Sequence, residues 1–294
     1  MAVAFDLLFS VSDLPPLIFG WLDPSSLALA ACACTKWRDL ARKVRGKATT
    51  FRLVFRDLLR TPRTLIWTAE KLNVLPETLR AIACNAAASI GDTELLRWAR
   101  ENGCDWDEGV CAVAAGSGHL GLLQWARKNG CPWDEEVSAQ AAIKGDLGVL
   151  QWLADGGCAF GAATCAGAAY GGHLDVLQWL RARDCPWDED TCASATFHTD
   201  LVILRWARAN DCPWSTTACV VAAANNNVPA LRWIHENDGP CDEWTCASAA
   251  MHGGFEALRW ARANGCPWDK ARCIMFAAKA GHKALADWIE TQPE

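Results

Sequence analysis

The stretch of residues 131–157 reads CPWDEEVSAQAAIKGDLGVLQWLADGG, and the chain repeats this plan every 27 residues. Asp134 is placed to cap the start of a helix, and the two glutamates after it suit the positive end of the helix dipole. The Ala-rich segment that follows favours a short, closely packed helix, and Gly145 then turns the chain. The segment up to Asp155 has apolar residues at helical spacing. Each repeat is therefore predicted to be two antiparallel helices and a loop.

Four columns of residues share the 27-residue register. One column of tryptophans consists of Trp98, Trp125, Trp152, Trp179, Trp206, Trp233 and Trp260. A second aromatic column follows eight residues behind, at Trp106, Trp133, Phe160, Trp187, Trp214 and Trp268. Two cysteine columns run through Cys104, Cys131, Cys158, Cys185, Cys212 and Cys266, and through Cys84, Cys111, Cys165, Cys192, Cys219, Cys246 and Cys273. Because so small a helix pair cannot bury its apolar face alone, the repeats are predicted to stack, with these columns as layers of the shared core.

The turn between the two helices carries a family resemblance. Residues 114–120 read AAGSGHL and residues 168–174 read AAYGGHL, and both resemble the turn segment of an ankyrin repeat. The resemblance implies a solenoid of helical pairs that binds other proteins. Ankyrin repeats are about 33 residues long, so these repeats are shorter. The resemblance therefore implies an ankyrin-type array in which the compact Cys-Pro-Trp-Asp loop replaces the long β-hairpin fingers.

Two positions just before the turn glycine vary from repeat to repeat while the framework recurs. In ankyrin repeats, which this chain resembles, these positions lie on the concave face. The residues predicted to contact a partner protein are Ile143, Lys144, Tyr170, Phe197, His198, Met251 and His252. Their aromatic centre and polar rim are typical of a protein interface. The alternative is that Ile143, Phe197 and Met251 fill an ordinary groove between helices.

The N-terminal residues do not share the period. Residues 22–27 (LDPSSL) and 34–41 (CTKWRDLA) resemble the second half of an F-box, and residues 14–19 stand where its first half would be. The resemblance implies a helical module that docks onto a Skp-type adaptor subunit. The residues that would contact this adaptor are Leu14, Pro15, Ile18, Leu22, Pro24, Leu27 and Trp37. The alternative is a helical cap that covers the first repeat.

The predicted fold is all-α and has three segments. Residues 1–48 form the F-box-like module, and residues 77–294 form eight short ankyrin-like repeats. Residues 49–76 between them are too apolar for a flexible linker. They are interpreted as an apolar connector or a degenerate repeat that caps the array.

The sixteen cysteines raise the question of metal binding. Zinc sites usually show C-x₂-C spacing, whereas the two cysteine columns lie seven residues apart, as at Cys104 and Cys111. Packed helices lie about 8–10 Å apart, so equivalent cysteines of neighbouring repeats cannot share one zinc ion or readily form a disulfide. The histidines at the turns are His119, His173 and His282. They recur at the same position of the repeat and are therefore interpreted as capping or turn residues. No metal and no cofactor is expected.

Composition narrows the classes of function. Half of the chain is apolar, and no run of 18 apolar residues occurs, so no membrane span is predicted. The first sixteen residues carry two aspartates and no basic residue, unlike a signal peptide, so we expect the cytoplasm or the nucleus. Residues 64–294 hold eighteen basic and twenty-nine acidic residues. That acidic balance argues against nucleic acid as the main ligand, and the basic run of residues 36–63 leaves only a weak option for it.

The predicted function is that of a binding scaffold and not of an enzyme, because the sequence contains no catalytic triad and no phosphate-binding glycine loop. The F-box resemblance implies a substrate-recruiting adaptor of a cullin–RING ubiquitin ligase, with the target held by the repeats. The alternative is an ankyrin-like scaffold with no role in ubiquitin transfer.

Overall fold

The computed structural model describes residues 77–293, and for residues 77–82 only the backbone. The segments predicted as the F-box-like module and the connector lie outside the described residues. Within the described range the chain is all-helical and contains no strand. The sequence prediction of an all-helical repeat region is confirmed for this range.

Sixteen helices in the described range follow one another as eight pairs. They are α1 (Glu77–Ile90), α2 (Thr93–Glu101), α3 (Glu108–Ser117), α4 (Leu120–Lys128), α5 (Glu135–Lys144), α6 (Leu147–Asp155), α7 (Ala162–Gly171), α8 (Leu174–Arg181), α9 (Glu189–Ala195), α10 (Val202–Ala209), α11 (Thr216–Ala224), α12 (Val228–Glu236), α13 (Glu243–His252), α14 (Phe255–Ala263), α15 (Lys270–Lys279) and α16 (Lys283–Glu290). Odd-numbered helices are called inner helices here, and even-numbered helices are called outer helices.

The described residues divide into two compact units. The first comprises residues 77–87 and 94–105, and the second comprises residues 88–93 and the chain from Trp106 onward. In the second unit each inner helix packs against the inner helix of the next pair and against its own outer helix. This series of stacked pairs is the repeat array predicted from the 27-residue period.

Local sequence explains where the helices begin and end. The Asp134 carboxylate accepts a hydrogen bond from the backbone N–H of Glu136 at 3.0 Å, so the predicted cap of α5 is confirmed. Gly145 ends α5 with φ at 78°, in the left-handed region that glycine adopts without a steric penalty. The next inner helix, α7, has Gly161 at its N-cap position, and glycine has no side chain to form this cap.

The core of the second compact unit contains small residues of the inner helices and leucines of the outer helices. Leu123, Leu150, Leu177, Leu204, Leu231 and Leu258 are fully buried. The cysteines of both columns are 0–7% exposed, so their predicted place in the core is confirmed. Burying each such leucine contributes about 1.5–3 kcal/mol relative to leaving it in water.

The tryptophan columns are not layers of this core, which corrects the sequence interpretation. Their side chains are only half-buried and lie on the outer helices and the preceding loops. Within one repeat the ring of Trp133 meets that of Trp152 edge to face, with centroids 5.5 Å apart. The Arg127 guanidinium stacks over Trp133 at 4.2 Å and donates a hydrogen bond to the Cys131 carbonyl. The indole face in this position attracts the Arg127 cation. The buried positions of the inner helices are occupied mainly by small residues such as Ala and Cys.

Candidate protein-binding surface

Tyr170 and Phe197 form an exposed aromatic pair on neighbouring repeats. Tyr170 lies in the last turn of α7, and Phe197 lies just after the end of α9. Their ring centroids are 4.8 Å apart with an interplanar angle of 76°, an edge-to-face contact. Tyr170 is 48% exposed and Phe197 is 43% exposed. The two rings bury part of each other and leave the rest of their apolar surface open to a partner.

His198 is engaged in the turn beside this pair. Its Nε2 lies 2.9 Å from the Tyr170 carbonyl oxygen and donates to it in the corresponding tautomer. Comparable bonds join His173 to the Ile143 carbonyl at 3.1 Å and His119 to the Ser89 carbonyl at 3.3 Å. These two turn histidines do not cap their own helices through the side chain. They instead bond the inner helix of the preceding repeat, so the turn interpretation holds and the capping interpretation is wrong.

The other residues predicted for this surface do not form one cluster with the aromatic pair. Ile143 is half-buried, and its Cγ1 lies so close to α7 that a Cβ at Gly167 would stand 3.1 Å from it. Ile143 thus fits the alternative of a residue that fills the groove between helices. Lys144 is exposed at the end of α5. Met251 and His252 are exposed at the end of α13, two repeats beyond Phe197, and His252 Nδ1 lies 3.0 Å from the Ser248 carbonyl.

A second exposed apolar group lies on the last two inner helices, and it was not predicted from the sequence. Trp244, in the first turn of α13, is 50% exposed and stacks on Phe276 with centroids 6.4 Å apart. The Arg272 guanidinium lies 4.8 Å from the Trp244 ring and 3.2 Å from a Glu243 carboxylate oxygen. Met275 on α15 is also exposed. The sequence did contain a signal for this group, because Trp244 belongs to neither of the two aromatic columns and so is not explained by the repeat framework.

Two inner helices, α5 and α13, carry opposite charges at their two ends. Their first turns contain carboxylates, as at Glu136 and Glu243, and their last turns contain Lys144 and His252. This distribution complements the helix dipole. It also places Lys144 and His252 at the same ends of the inner helices as the exposed apolar residues Tyr170 and Met251, with the carboxylates at the opposite ends.

The cysteines are arranged as a packing element. In the described residues none is in a disulfide, and no group of three or more His, Cys, Asp or Glu side chains could hold a metal ion. Burial raises the thiol pKa of Cys158 and Cys273 to about 11, and that of Cys219 and Cys246 to about 12. These thiols stay protonated at neutral pH and are therefore poor nucleophiles and poor metal ligands.

Members of the two different cysteine columns contact each other across the repeats. Cys165 donates from Sγ to the Cys185 carbonyl at 4.0 Å, and the nearby Cys185 thiol together with burial raises the pKa of Cys165. Cys185 also donates from Sγ to the Gly161 carbonyl at 3.4 Å. The sequence prediction concerned only equivalent cysteines of neighbouring repeats, so these contacts between the columns were not expected.

The residues predicted to contact an adaptor subunit lie outside the described residues. This applies to the whole set of Leu14, Pro15, Ile18, Leu22, Pro24, Leu27 and Trp37. The F-box assignment therefore stays a prediction from sequence. In the part of the chain that the structure describes, no helix is long and apolar enough to cross a membrane.

Comparison with known proteins adds little to these observations. No protein-family model matches the chain, and no curated protein sequence matches it. Among solved structures, the human ASB11 ankyrin repeat domain is similar at 15% sequence identity and a TM-score of 0.34, over 72% of this chain and 99% of that chain. The likeness is low by both measures, and the repeat architecture rests on the helix pairs themselves.

Proposed function

We propose that the repeat array is a protein-binding scaffold whose partner sits on the exposed ends of the inner helices. The observation that carries this proposal is the Tyr170–Phe197 pair, in which two large rings contact each other and still expose nearly half of their surface. Aromatic anchors of this kind are enriched at the energetic centres of protein interfaces. No catalytic role is proposed.

The charged side chains at the ends of the inner helices support a protein as the ligand. A partner segment across the inner helices would meet carboxylates at one edge and Lys144, His198 and His252 at the other. Such a rim of mixed charge fixes the orientation of a bound protein more than its affinity. We therefore assign Tyr170 and Phe197 the anchoring role and the charged residues a role in specificity.

The finer proposal is that the chain recruits substrates to a cullin–RING ubiquitin ligase. The support for it is the resemblance of residues 22–41 to an F-box. In that arrangement the N-terminal module binds a Skp-type adaptor, and the array raises the effective concentration of its target beside the charged enzyme. A scaffold with no role in ubiquitin transfer is the alternative. The cytoplasm or nucleus remains the predicted compartment.

A quantitative pull-down with the full chain tests the binding surface. We expect the proteins captured by the wild type to be lost with Tyr170→Ala combined with Phe197→Ala. The matched control is Gln124→Ala combined with Gln151→Ala, which alters two exposed side chains of the outer helices and should leave the captured set intact. An unchanged partner set in the aromatic double variant rules out this surface.

Copurification with a Skp-type subunit tests the adaptor role separately. We expect the wild type to bind it, and Leu22→Ala with Trp37→Ala to lose it, while the Tyr170 and Phe197 variant binds normally. If the wild type does not bind the subunit, the chain is a scaffold without this role.

A further inference from the structure

Three consecutive outer helices present a row of arginines on a face that the proposed binding surface does not use. Arg205 on α10, Arg232 on α12 and Arg259 on α14 occupy the same position of three consecutive repeats, 27 residues apart. All three are exposed. The same position in α4, α6 and α8 holds Gln124, Gln151 and Gln178. The arginines are therefore not required by the repeat framework.

Two of these arginines have no acidic partner within the described part of the chain. No carboxylate oxygen there lies within 4.0 Å of the nitrogens of Arg205 or Arg232. Arg259 lies 3.9 Å from Glu256, with both side chains more than half exposed. Other arginines of the outer helices are engaged, since Arg208 stacks over Trp214 and Arg262 over Trp268. The row therefore offers guanidinium groups with free hydrogen-bonding capacity.

A cleft of about 290 Å³ lies between α10 and α12, and the first two arginines of the row stand on its walls. Leu201, Val228 and Pro229 supply apolar lining. The cleft occurs where the turn departs from the common pattern, because Leu201 precedes α10 in a left-handed conformation with φ at 59°. Val202, next to it, is 49% exposed. The site thus combines an apolar depression with two cations.

We propose that this row and its cleft bind an acidic peptide segment of another protein in extended conformation. The arginine fork pairs two nitrogens with the two oxygens of a carboxylate. Packed helices lie about 8–10 Å apart, and a polyproline II chain, which is extended and has three residues per turn, covers roughly that distance in one turn at about 3.1 Å per residue and keeps every third side chain on the same face. The bound segment carries Asp or Glu at every third position, with aliphatic side chains that enter the cleft.

The charge of the surroundings restricts such a ligand to the row. Residues 64–294 hold twenty-nine acidic and eighteen basic residues, so most of the array repels an acidic segment. One carboxylate, Glu236, lies on the cleft wall. It opposes the ligand, and its removal should strengthen binding.

The test uses the full chain and a fluorescein-labelled peptide with the sequence GDLGDLGDLG, followed by fluorescence polarisation at low salt. We expect saturable binding by the wild type. The triple variant Arg205→Gln, Arg232→Gln and Arg259→Gln should bind at least tenfold more weakly, and Glu236→Gln should bind about twofold more tightly. The glutamines copy the residues of the earlier repeats, so the triple variant should keep the circular dichroism and urea unfolding of the wild type. Binding should weaken as salt is added.

Two further variants test whether peptide binding depends on the arginine row alone. Gln178→Arg extends the row by one repeat and should tighten binding of a peptide that is three residues longer and carries a fourth aspartate. Tyr170→Ala with Phe197→Ala should leave peptide binding unchanged, since this site does not depend on the proposed scaffold surface. Equal binding by the wild type and the triple glutamine variant overturns the proposal. So does binding of a thymidine tetranucleotide, which carries three phosphates, without binding of the peptide.

Discussion

The turn glycine at position 145 should tolerate a methyl group poorly because a histidine of the next repeat packs over it. Gly145 has φ at 78°, and a Cβ built there would lie 2.5 Å from Cε1 of His173. The same imidazole makes the 3.1 Å contact with the Ile143 carbonyl. Gly145→Ala therefore introduces backbone strain and also displaces a ring that connects two repeats.

The cost of the backbone strain and the cost of the displaced histidine can be measured separately with a second glycine that has the same left-handed conformation but no histidine over it. Gly130 has φ at 86° and nothing within 4 Å of a built Cβ. Gly130→Ala should therefore cost only the left-handed strain, about 1 kcal/mol of the free energy of unfolding. Gly145→Ala should cost about 2–3 kcal/mol, because the lost histidine bond adds about 1 kcal/mol and the disturbed packing adds a similar amount.

Urea unfolding followed by tryptophan fluorescence measures both variants. A double-mutant cycle with His173→Ala should show a coupling of about 1–2 kcal/mol, since without the ring Gly145→Ala costs only the backbone strain. The proposed role of the histidine is refuted if Gly145→Ala is no more destabilising than Gly130→Ala. Additive effects of Gly145→Ala and His173→Ala would refute it as well.

Three further predictions concern the same array. Burial raises the pKa of the Cys219 thiol from 9.0 to about 12, so the unfolded chain ionises this thiol at a lower pH than the folded chain does. The contribution to the free energy of unfolding is therefore fully present below pH 9 and is lost as pH rises toward 12, with a slope of up to ~1.4 kcal/mol per pH unit for each such thiol. Urea unfolding at pH 8 to 11 should show this loss, and Cys219→Ala should reduce the slope. Asp134→Ala should lower the free energy of unfolding by about 1 kcal/mol, whereas Asp134→Gly should lower it by only a few tenths. Glycine is tolerated at this N-cap position, as at Gly161. Equal losses for the two variants in urea unfolding would contradict the capping role of Asp134. Arg127→Lys should destabilise by about 1 kcal/mol in the same assay through loss of stacking on Trp133, and no change would show that the stacking contributes nothing.

The sequence by itself determined the period and the ends of many helices. The Asp134 cap and the Gly145 turn depend on residues within a few positions of each other, so local chemistry fixes them wherever the repeat is placed. The burial of the cysteine columns was also predictable, since cysteine is small and readily buried.

Only the tertiary structure decided which side chains meet across repeats and which remain exposed. The sequence placed the tryptophan columns in the core, whereas the core is formed mainly by small residues of the inner helices and leucines of the outer helices, and the indoles remain half-buried at its edge. The contact of Tyr170 with Phe197, the packing of Ile143 against α7 and the exposure of Trp244 all depend on how neighbouring repeats stack. Periodicity assigns a residue to a face of its own helix, but the packing distance and angle between helices determine what covers that face.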